Sequence, residues 1–238
     1  MPISQVNTSS NEGFYFITPT IWNWYYLFDR HNRWDILANS IKYCQDNKGL
    51  ELYGGFSANI ANYVHLTGRV AYQNFRNLYF YTNSPTDASK FDLVYDDGIT
   101  NVLNFYAEAV FNYSDELRLG LKTDYNKYST ASLEKAFHRP ELKSTIFATY
   151  NFYDKILFNS ELYYIGSSYG GVRYLPAGGK ELTETDTIVD LNLKADYKFS
   201  NRFTVFLMGN NLLAKKYERF VNYPVKSLNL IGGVTYSF

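Results

Sequence analysis

The last strand of the chain has one apolar face and one polar face. Over residues 226–238, one face would carry Leu228, Leu230, Gly232, Val234, Tyr236 and Phe238. The other face would carry Ser227, Asn229, Gly233, Thr235 and Ser237, with Ile231 as its apolar exception. Because successive strand residues point to opposite faces, this pattern predicts a strand lying between an apolar phase and water.

The same alternation recurs along most of the chain. It predicts about eleven strands, at 14–28, 33–44, 50–60, 64–82, 101–113, 116–128, 138–152, 155–168, 188–199, 202–213 and 226–238. The first two are the least regular, since Trp22, Trp24 and Trp34 do not alternate cleanly. Ten residues at about 3.3 Å each and roughly 45° of tilt cross about 23 Å, close to the apolar band of a membrane barrel. Strands of soluble sandwiches are about half as long.

The sequence therefore predicts an all-β, antiparallel transmembrane barrel of the outer-membrane type, with about 10–12 strands in this chain. Aromatic residues make up 19% of the sequence, and Tyr and Phe favour both strands and membrane interfaces. The mean hydropathy of −0.31 does not argue against a membrane, because barrel strands alternate lipid-facing and lumen-facing residues. A net charge of zero gives no indication of a nucleic-acid partner, and the single Cys44 excludes an internal disulfide and a cysteine metal cluster.

Short and long connections alternate along the chain. Aromatic strand ends run into short polar turns near residues 61–63, 112–115, 151–154 and 198–201. The longer connections are 83–100, 129–137, 169–187 and 214–225. Short turns at one end and long loops at the other are typical of the periplasmic and extracellular ends of outer-membrane barrels. The aromatic residues beside the short turns would then form one interfacial girdle.

The penultimate strand and its loop carry the most specific motif. The segment 201–217 resembles the corresponding signature of TonB-dependent outer-membrane receptors, and the matching residues are Asn211, Leu212, Leu213, Lys216 and Tyr217. Ala214 departs from the polar residue usual there, and Gly49-Leu50-Glu51 resembles a strand opening of these barrels. The resemblance is strong over about 186–238, and the earlier region matches in pattern alone.

This resemblance implies a 22-stranded barrel of which residues 1–238 form one region, with no plug domain and no signal peptide. The odd strand count and a leader-free N-terminus predict the same incompleteness. It further implies TonB-dependent uptake of a scarce nutrient, such as an iron chelate, cobalamin or a glycan, across the outer membrane of a Gram-negative bacterium. The implied partners are outer-membrane lipid, the barrel-insertion machinery, the plug domain and the TonB system. The insertion signal would be Gly232, Val234, Tyr236 and Phe238.

We predict that the charged residues on the polar face line the barrel lumen. These candidates are Arg69, Glu108, Arg118, Lys122, Asp190, Lys194 and Asp196. Their simplest role is to wet the pore wall, with a transport path as the alternative. No ligand-binding residue is predicted.

Catalytic, metal and cofactor sites are not predicted. His138 lies near Glu134 and Glu141, but no spacing ties them into a catalytic set, and His65 is expected to be a solvated lumen histidine. Asp96-Asp97-Gly98 is interpreted as a turn, with a calcium loop as the alternative. The chain is therefore expected not to be an enzyme.

A second hypothesis remains open. The chain could be a self-contained small outer-membrane barrel of ten or twelve strands, acting as an adhesin, a structural protein or a hydrolase with its site at the rim. Such a barrel would close on itself, whereas part of a larger one would keep two unpaired edges.

Overall fold

The regular structure of the described residues is β. A computed structural model describes residues 15–17, 46–60, 63–84, 87, 90–174 and 180–238. Its strands are β1 (Tyr15–Ile17), β2 (Asp46–Ile60), β3 (Val64–Arg76), β4 (Tyr79–Asn83), β5 (Phe91–Tyr95), β6 (Ile99–Asn112), β7 (Leu117–Ser129), β8 (Leu142–Phe152), β9 (Ile156–Ile165), β10 (Tyr169–Tyr174), β11 (Lys180–Glu184), β12 (Ile188–Lys198), β13 (Phe203–Asn210), β14 (Glu218–Phe220), β15 (Tyr223–Pro224) and β16 (Asn229–Tyr236). No helix in this part of the chain is long and apolar enough to cross a membrane.

Ten of these strands form one antiparallel meander. The order across the sheet is β1-β2-β3-β6-β7-β8-β9-β12-β13-β16. Each strand therefore pairs with the next long strand of the chain, the arrangement expected when tight turns join strands of similar length. Within the described residues the sheet stays open, with β1 and β16 at its edges. The predicted all-β antiparallel fold is confirmed.

The two ends of the sheet differ. At one end, which we call the turn end, β6 joins β7, β8 joins β9 and β12 joins β13 through four, three and four residues. At the other end, the loop end, three two-stranded hairpins rise from the connections: β4–β5, β10–β11 and β14–β15. We call these hairpins and the 130–141 loop the loop cap.

The sheet has one exposed apolar face. Large side chains of this face remain open to the surroundings, as shown by exposed fractions of 60% for Leu52, 55% for Ile146, 59% for Leu207 and 64% for Val234. A water-soluble sheet would bury such a continuous apolar surface, so this face requires an apolar phase. Its polar groups pair with one another: Thr123 and Ser144 share a hydrogen bond of 3.1 Å across β7 and β8. This pairing lowers the free-energy cost of placing hydroxyl groups in lipid.

Two buried clusters lie in the loop cap and where the cap meets β3 and β6 of the sheet. One cluster contains Tyr79, Tyr81, Phe91 and Tyr223. A second contains Phe75, Leu78, Phe80, Val102 and Phe137. Both combine aromatic residues of different hairpins and loops, so the cap is a packed structure and not a set of separate connections.

Several strand predictions need correction. The predicted strand 64–82 is two elements, because the chain leaves the sheet after Arg76, passes Asn77 with a φ of 57° and enters the cap as β4. The connections 83–100, 169–187 and 214–225, interpreted as loops, contain β5, β10, β11, β14 and β15. The strand predicted from residue 138 begins at Leu142, because 130–141 belongs to the cap. The prediction at 33–44 lies outside the described residues, as does 14–28 apart from β1.

Candidate functional site: the polar face and the loop cap

The polar face carries a hydrogen-bonded network between adjacent strands. Asn104 of β6 donates from Nδ2 to Asp124 at 3.1 Å and to Asn126 at 2.9 Å, both on β7. Thr149 donates to Asn159 at 3.2 Å between β8 and β9. Such cross-strand pairs hold the polar side chains in place along this face.

The predicted lumen residues all lie on this face. Glu108 and Lys122 pair at 3.9 Å across β6 and β7, and Lys194 and Asp196 pair at 2.7 Å along β12. Arg69 approaches Glu51 to 3.9 Å. Because these pairs are partly exposed, each contributes at most about 1 kcal/mol, so they position charges more than they stabilise the sheet.

An aromatic ring that the sequence did not single out lies among these charges. Phe147 of β8 faces the polar side, with the guanidinium of Arg118 at 5.8 Å and the ammonium of Lys122 at 5.2 Å from its ring centre. The opposite residue on β7 is Gly120, and a Cβ there would lie 2.1 Å from Cζ of Phe147. The glycine therefore provides the space in which the ring meets both cations.

An aromatic band marks the turn end of the apolar face. Its ring pairs are Tyr63–Phe111, Phe111–Tyr113, Tyr150–Phe152, Tyr197–Phe199 and Tyr236–Phe238, with centroid separations of 5.2–6.5 Å. The residues predicted as an insertion signal lie at one edge of this band. Gly232, Val234 and Tyr236 pair with Leu207, Val205 and Phe203 of β13, and the Phe238 side chain is fully exposed.

The residues of the penultimate-strand motif fasten a loop to β12. Asn211 has a φ of 51°, and its Nδ2 donates to the carbonyls of Lys215 at 2.8 Å and Lys226 at 3.2 Å. Its backbone N–H donates to Oδ1 of Asn192 at 3.0 Å. One side chain thus joins the two ends of the loop that connects β13 to β16.

The second anchor of the same loop is Tyr217. This residue is 8% exposed, and its hydroxyl donates to Oδ2 of Asp190 on β12. Leu212 adds a backbone bond of 2.9 Å to the carbonyl of Leu191, while Leu213 is 41% exposed. Asp190, predicted as a lumen charge, is therefore also a structural partner of the motif.

His138 joins three elements of the loop cap. Its Nδ1 contacts the carbonyl of Tyr81 at 2.7 Å, and its Nε2 accepts the backbone N–H of Val221 at 3.2 Å. Its own backbone N–H donates to the carbonyl of Tyr169 at 2.6 Å. Since a carbonyl can only accept, Nδ1 must carry the proton and the imidazole is neutral.

The surroundings of His138 favour this neutral form. The ring packs against Phe91 at 5.3 Å and Phe220 at 4.9 Å between centroids. Burial lowers the pKa of His138 from 6.5 to about 4, although the bond to Tyr81 opposes that shift. The carboxylate of Glu141, a neighbour in sequence, accepts a hydrogen bond from the hydroxyl of Tyr125. His138 is thus a link between cap elements and not part of an acid–base pair.

Asp96 joins β5 to the 130–141 loop. Its fully buried carboxylate accepts the backbone N–H groups of Ala131, Ser132 and Leu133 at 2.7–3.0 Å and the hydroxyls of Thr100 and Ser132. Burial raises the pKa of Asp96, but these bonds outweigh burial and bring it to about 2. Five donors occupy both oxygens, so this carboxylate serves the loop and is not available to calcium.

His65 lies on the polar face toward the turn end. It contacts Asn59 at 2.7 Å, Thr67 at 3.2 Å and Ser57 at 3.3 Å. Within the described residues, no group of three or more His, Cys, Asp or Glu side chains could hold a metal ion.

Two sequence comparisons gave nothing, and the comparison of structures was informative. Neither a protein-family model nor a curated protein matches the chain. The structure is similar to the pyoverdine outer membrane receptor FpvA from Pseudomonas aeruginosa PAO1, with a TM-score of 0.62, 15% identity and coverage of 83% of this chain and 31% of that one.

Other receptors give the same picture. The copper transporter OprC has a TM-score of 0.64 at 12% identity, covering 82% of this chain and 30% of its own. The ferric-catecholate import receptor Fiu from E. coli K12 has a TM-score of 0.61 at 16% identity, covering 85% and 30%. The chain thus spans about a third of the length of these proteins. The resemblance to TonB-dependent receptor barrels is confirmed at the level of the fold: the described residues form an open antiparallel sheet similar to a region of those barrels.

Proposed function

We propose that this chain forms part of the barrel of a TonB-dependent receptor, which takes up a scarce nutrient across the outer membrane of a Gram-negative bacterium. The observation that carries the proposal is the combination of a lipid-compatible face, a hydrated charged face and a folded cap at one end. A small barrel with a structural role would need the first two features but not a packed cap. The turn end would then be periplasmic and the cap extracellular.

The polar face supports a transport role and not catalysis. Its charged residues are spread over several strands and are mostly paired with neighbours on the same sheet. An enzyme site would instead bring a nucleophile or general acid together with its partner in a cleft. We therefore propose that this wall faces a plug domain and the passing nutrient, and that the protein is not an enzyme.

The proposed nutrient is a metal chelate. The solved structures that the fold matches include a pyoverdine receptor, a copper transporter and a ferric-catecholate receptor. The ligands of these three proteins differ, and what they share is a metal. TonB, the plug and the barrel-insertion machinery are further partners that the proposal requires.

Uptake measured with the full-length gene product tests this function. Cells producing it should accumulate at least one radiolabelled iron or copper chelate from a panel, and removing TonB should abolish that accumulation. A matched strain without the gene gives the background. Absence of TonB-dependent uptake for the whole panel, with the protein present in the outer membrane, would contradict the proposal.

A further inference from the structure

Between the loop cap and the sheet lies a cavity of about 220 Å³ that combines aromatic walls with positive charge. Six of its ten lining residues are Tyr or Phe, two are the cations Arg139 and Lys143, and the others are His138 and Pro140. None of the ten is Asp or Glu. Four of the aromatic residues are 7% exposed or less: Tyr79, Phe80, Tyr81 and Phe137. The walls are therefore held by packing within the cap and exist without a ligand.

Arg139 is oriented by the cap itself. One of its terminal nitrogens donates to the carbonyl of Tyr79 at 3.0 Å, and the guanidinium lies 4.9 Å from the centre of the Phe80 ring. It also bonds to Tyr128. A guanidinium has five N–H donors, so these contacts fix its plane and leave donors for an acceptor in the cavity.

Lys143 supplies the second charge. It lies at the start of the polar face of β8, is exposed, and its ammonium makes no ion pair or hydrogen bond with the described residues. Asp124 is opposite it on β7, but that carboxylate accepts from Asn104 and Asn126. Asp124 and Glu141 lie outside the lining, so the charged side chains of the lining itself are the two cations Arg139 and Lys143.

We propose that this cavity binds a single aromatic ring that carries a carboxylate. The ring would stack against the Tyr and Phe walls, and the carboxylate would meet Arg139 and Lys143. An anion in this cavity requires such cations, because a buried charge without a partner is strongly disfavoured. The volume is below the roughly 300–1,000 Å³ of sites for drug-sized molecules, so it suits one ring and not a whole chelate.

This site names a ligand chemistry that the proposed function leaves open. Its role in uptake rests on that function, but its binding does not. Binding is measured on purified full-length protein without transport, so a failed uptake assay and a failed binding assay are distinguishable. The carboxylate-bearing ring could be a free small acid or one arm of a larger ligand.

Calorimetric titration of the full-length protein in detergent with benzoate, benzamide and acetate tests the proposal. Benzoate should bind, whereas benzamide, which keeps the ring without the charge, and acetate, which keeps the charge without the ring, should each bind at least about tenfold more weakly. A benzoate coupled through its para position to polyethylene glycol distinguishes a free small acid from one arm of a larger ligand. Binding of the conjugate indicates an arm of a larger ligand, and binding of benzoate alone indicates a free acid.

Variants then locate the binding. Lys143→Gln should weaken benzoate binding about two- to fivefold, because this ammonium is exposed. Arg139→Gln should weaken it about tenfold or more. Lys127→Gln is the matched control, since Lys127 is on the same sheet but is not among the lining residues. Lys143 has no contact to lose, so its variant keeps the test valid even if Arg139→Gln loosens the cap.

Three outcomes would overturn the proposal. Benzoate could fail to bind at concentrations up to about 10 mM, the range in which a ligand of nine heavy atoms should be detected. Benzamide could bind as well as benzoate. Lys143→Gln and Arg139→Gln could both match Lys127→Gln.

Discussion

The backbone N–H of Val221 donates to Nε2 of His138 at 3.2 Å, across 83 residues of sequence. This bond exists because the ring is neutral and its other nitrogen is engaged by Tyr81. A protonated imidazole would present an N–H to Val221, and two donors would then face each other. The attachment of the β14–β15 hairpin therefore depends on the charge of one side chain.

The first prediction concerns the pH dependence of this bond. The pKa of His138 in the closed cap is about 4, lowered by burial from 6.5, so the open cap binds a proton first as the pH falls. The closed cap should lose stability as the pH drops from about 6.5 toward 4, on the order of 1 kcal/mol at about pH 5 once the partial exposure of the ring is considered. Hydrogen exchange of the Val221 amide, corrected for the pH dependence of the intrinsic exchange rate, measures this loss of stability.

The control for this measurement is the Val225 amide, which donates to the carbonyl of Tyr217 at 2.9 Å and should keep its protection. In His138→Gln, protection of the Val221 amide should no longer change between about pH 7 and pH 5. Equal pH responses of the two amides would contradict the assigned role of His138.

The second prediction is that Asp96→Asn opens the 130–141 loop. The amide would place an N–H₂ group against donors that the carboxylate now accepts, at a cost of about 3 kcal/mol or more. Limited proteolysis should then cut the loop faster than in the wild type. Asp97→Asn is the matched control because that side chain is exposed. Similar cleavage of both variants would show that the buried carboxylate is not the anchor.

The third prediction is that Gly120→Ala disturbs the polar face through Phe147. The added methyl group would overlap the ring and displace it from the two cations, at a cost of about 1 kcal/mol or more. Phe147→Ala in the same chain should recover part of this loss, because the clash is gone. Gly54→Ala is the control, since its Cβ would meet no atom within 4 Å. Thermal unfolding of the detergent-solubilised protein measures the stability of the two single variants and of the double variant. Additive changes in stability would argue against a contact between residue 120 and the Phe147 ring.

The fourth prediction is that Tyr217→Phe frees the loop between β13 and β16. The hydroxyl bonds to the carboxylate of Asp190, and a hydrogen bond to a charged group contributes about 1.5–3 kcal/mol. Amide protection across 214–226 should fall. Tyr113→Phe, at a residue 70% exposed, should leave protection unchanged. If amide protection of the loop is unchanged in both variants, the hydroxyl of Tyr217 does not hold the loop and the residue contributes only the packing of its ring.

The fifth prediction concerns membrane insertion. Deleting Phe238 from the full-length protein should lower its amount in the outer membrane, because this exposed aromatic terminates the girdle at the edge strand. Replacing another aromatic residue of the girdle, as in Phe199→Ala, should lower the amount of protein in the outer membrane less than deleting Phe238 does. Immunoblotting of outer-membrane fractions measures both, and normal insertion without Phe238 would count against a signal role.

The sheet could be predicted from the sequence because a face in lipid tolerates few polar residues. Leu119 and Leu121 therefore alternate with Arg118 and Lys122, and the pattern alone assigns each side chain to a face. Phe147 breaks the pattern. Its position depends on Gly120 of the neighbouring strand, and periodicity within one strand does not reveal a partner across the sheet.

The loop cap could not be predicted in the same way. The strands β4, β5, β10 and β11 are five or six residues long, too short for a clear period, and their core residues come from distant segments. The sequence predicts a turn at Asp96, with a calcium loop as the alternative, and no catalytic set around His138. The actual partners of these two residues are 35 and 83 residues away, at Ala131 and Val221, and no local motif indicates such contacts.

The position of a buried cluster in the cap has a consequence for assembly. The cap cluster that includes Tyr79, Phe91 and Tyr223 cannot form until segments separated by more than a hundred residues have been brought side by side. Pairing of the strands between these segments brings them together, and the β14–β15 hairpin contributes the last of them in chain order. Packing of the cap therefore requires that the strands from β3 to β13 lie side by side, so the folding of the loop end depends on the formation of the sheet.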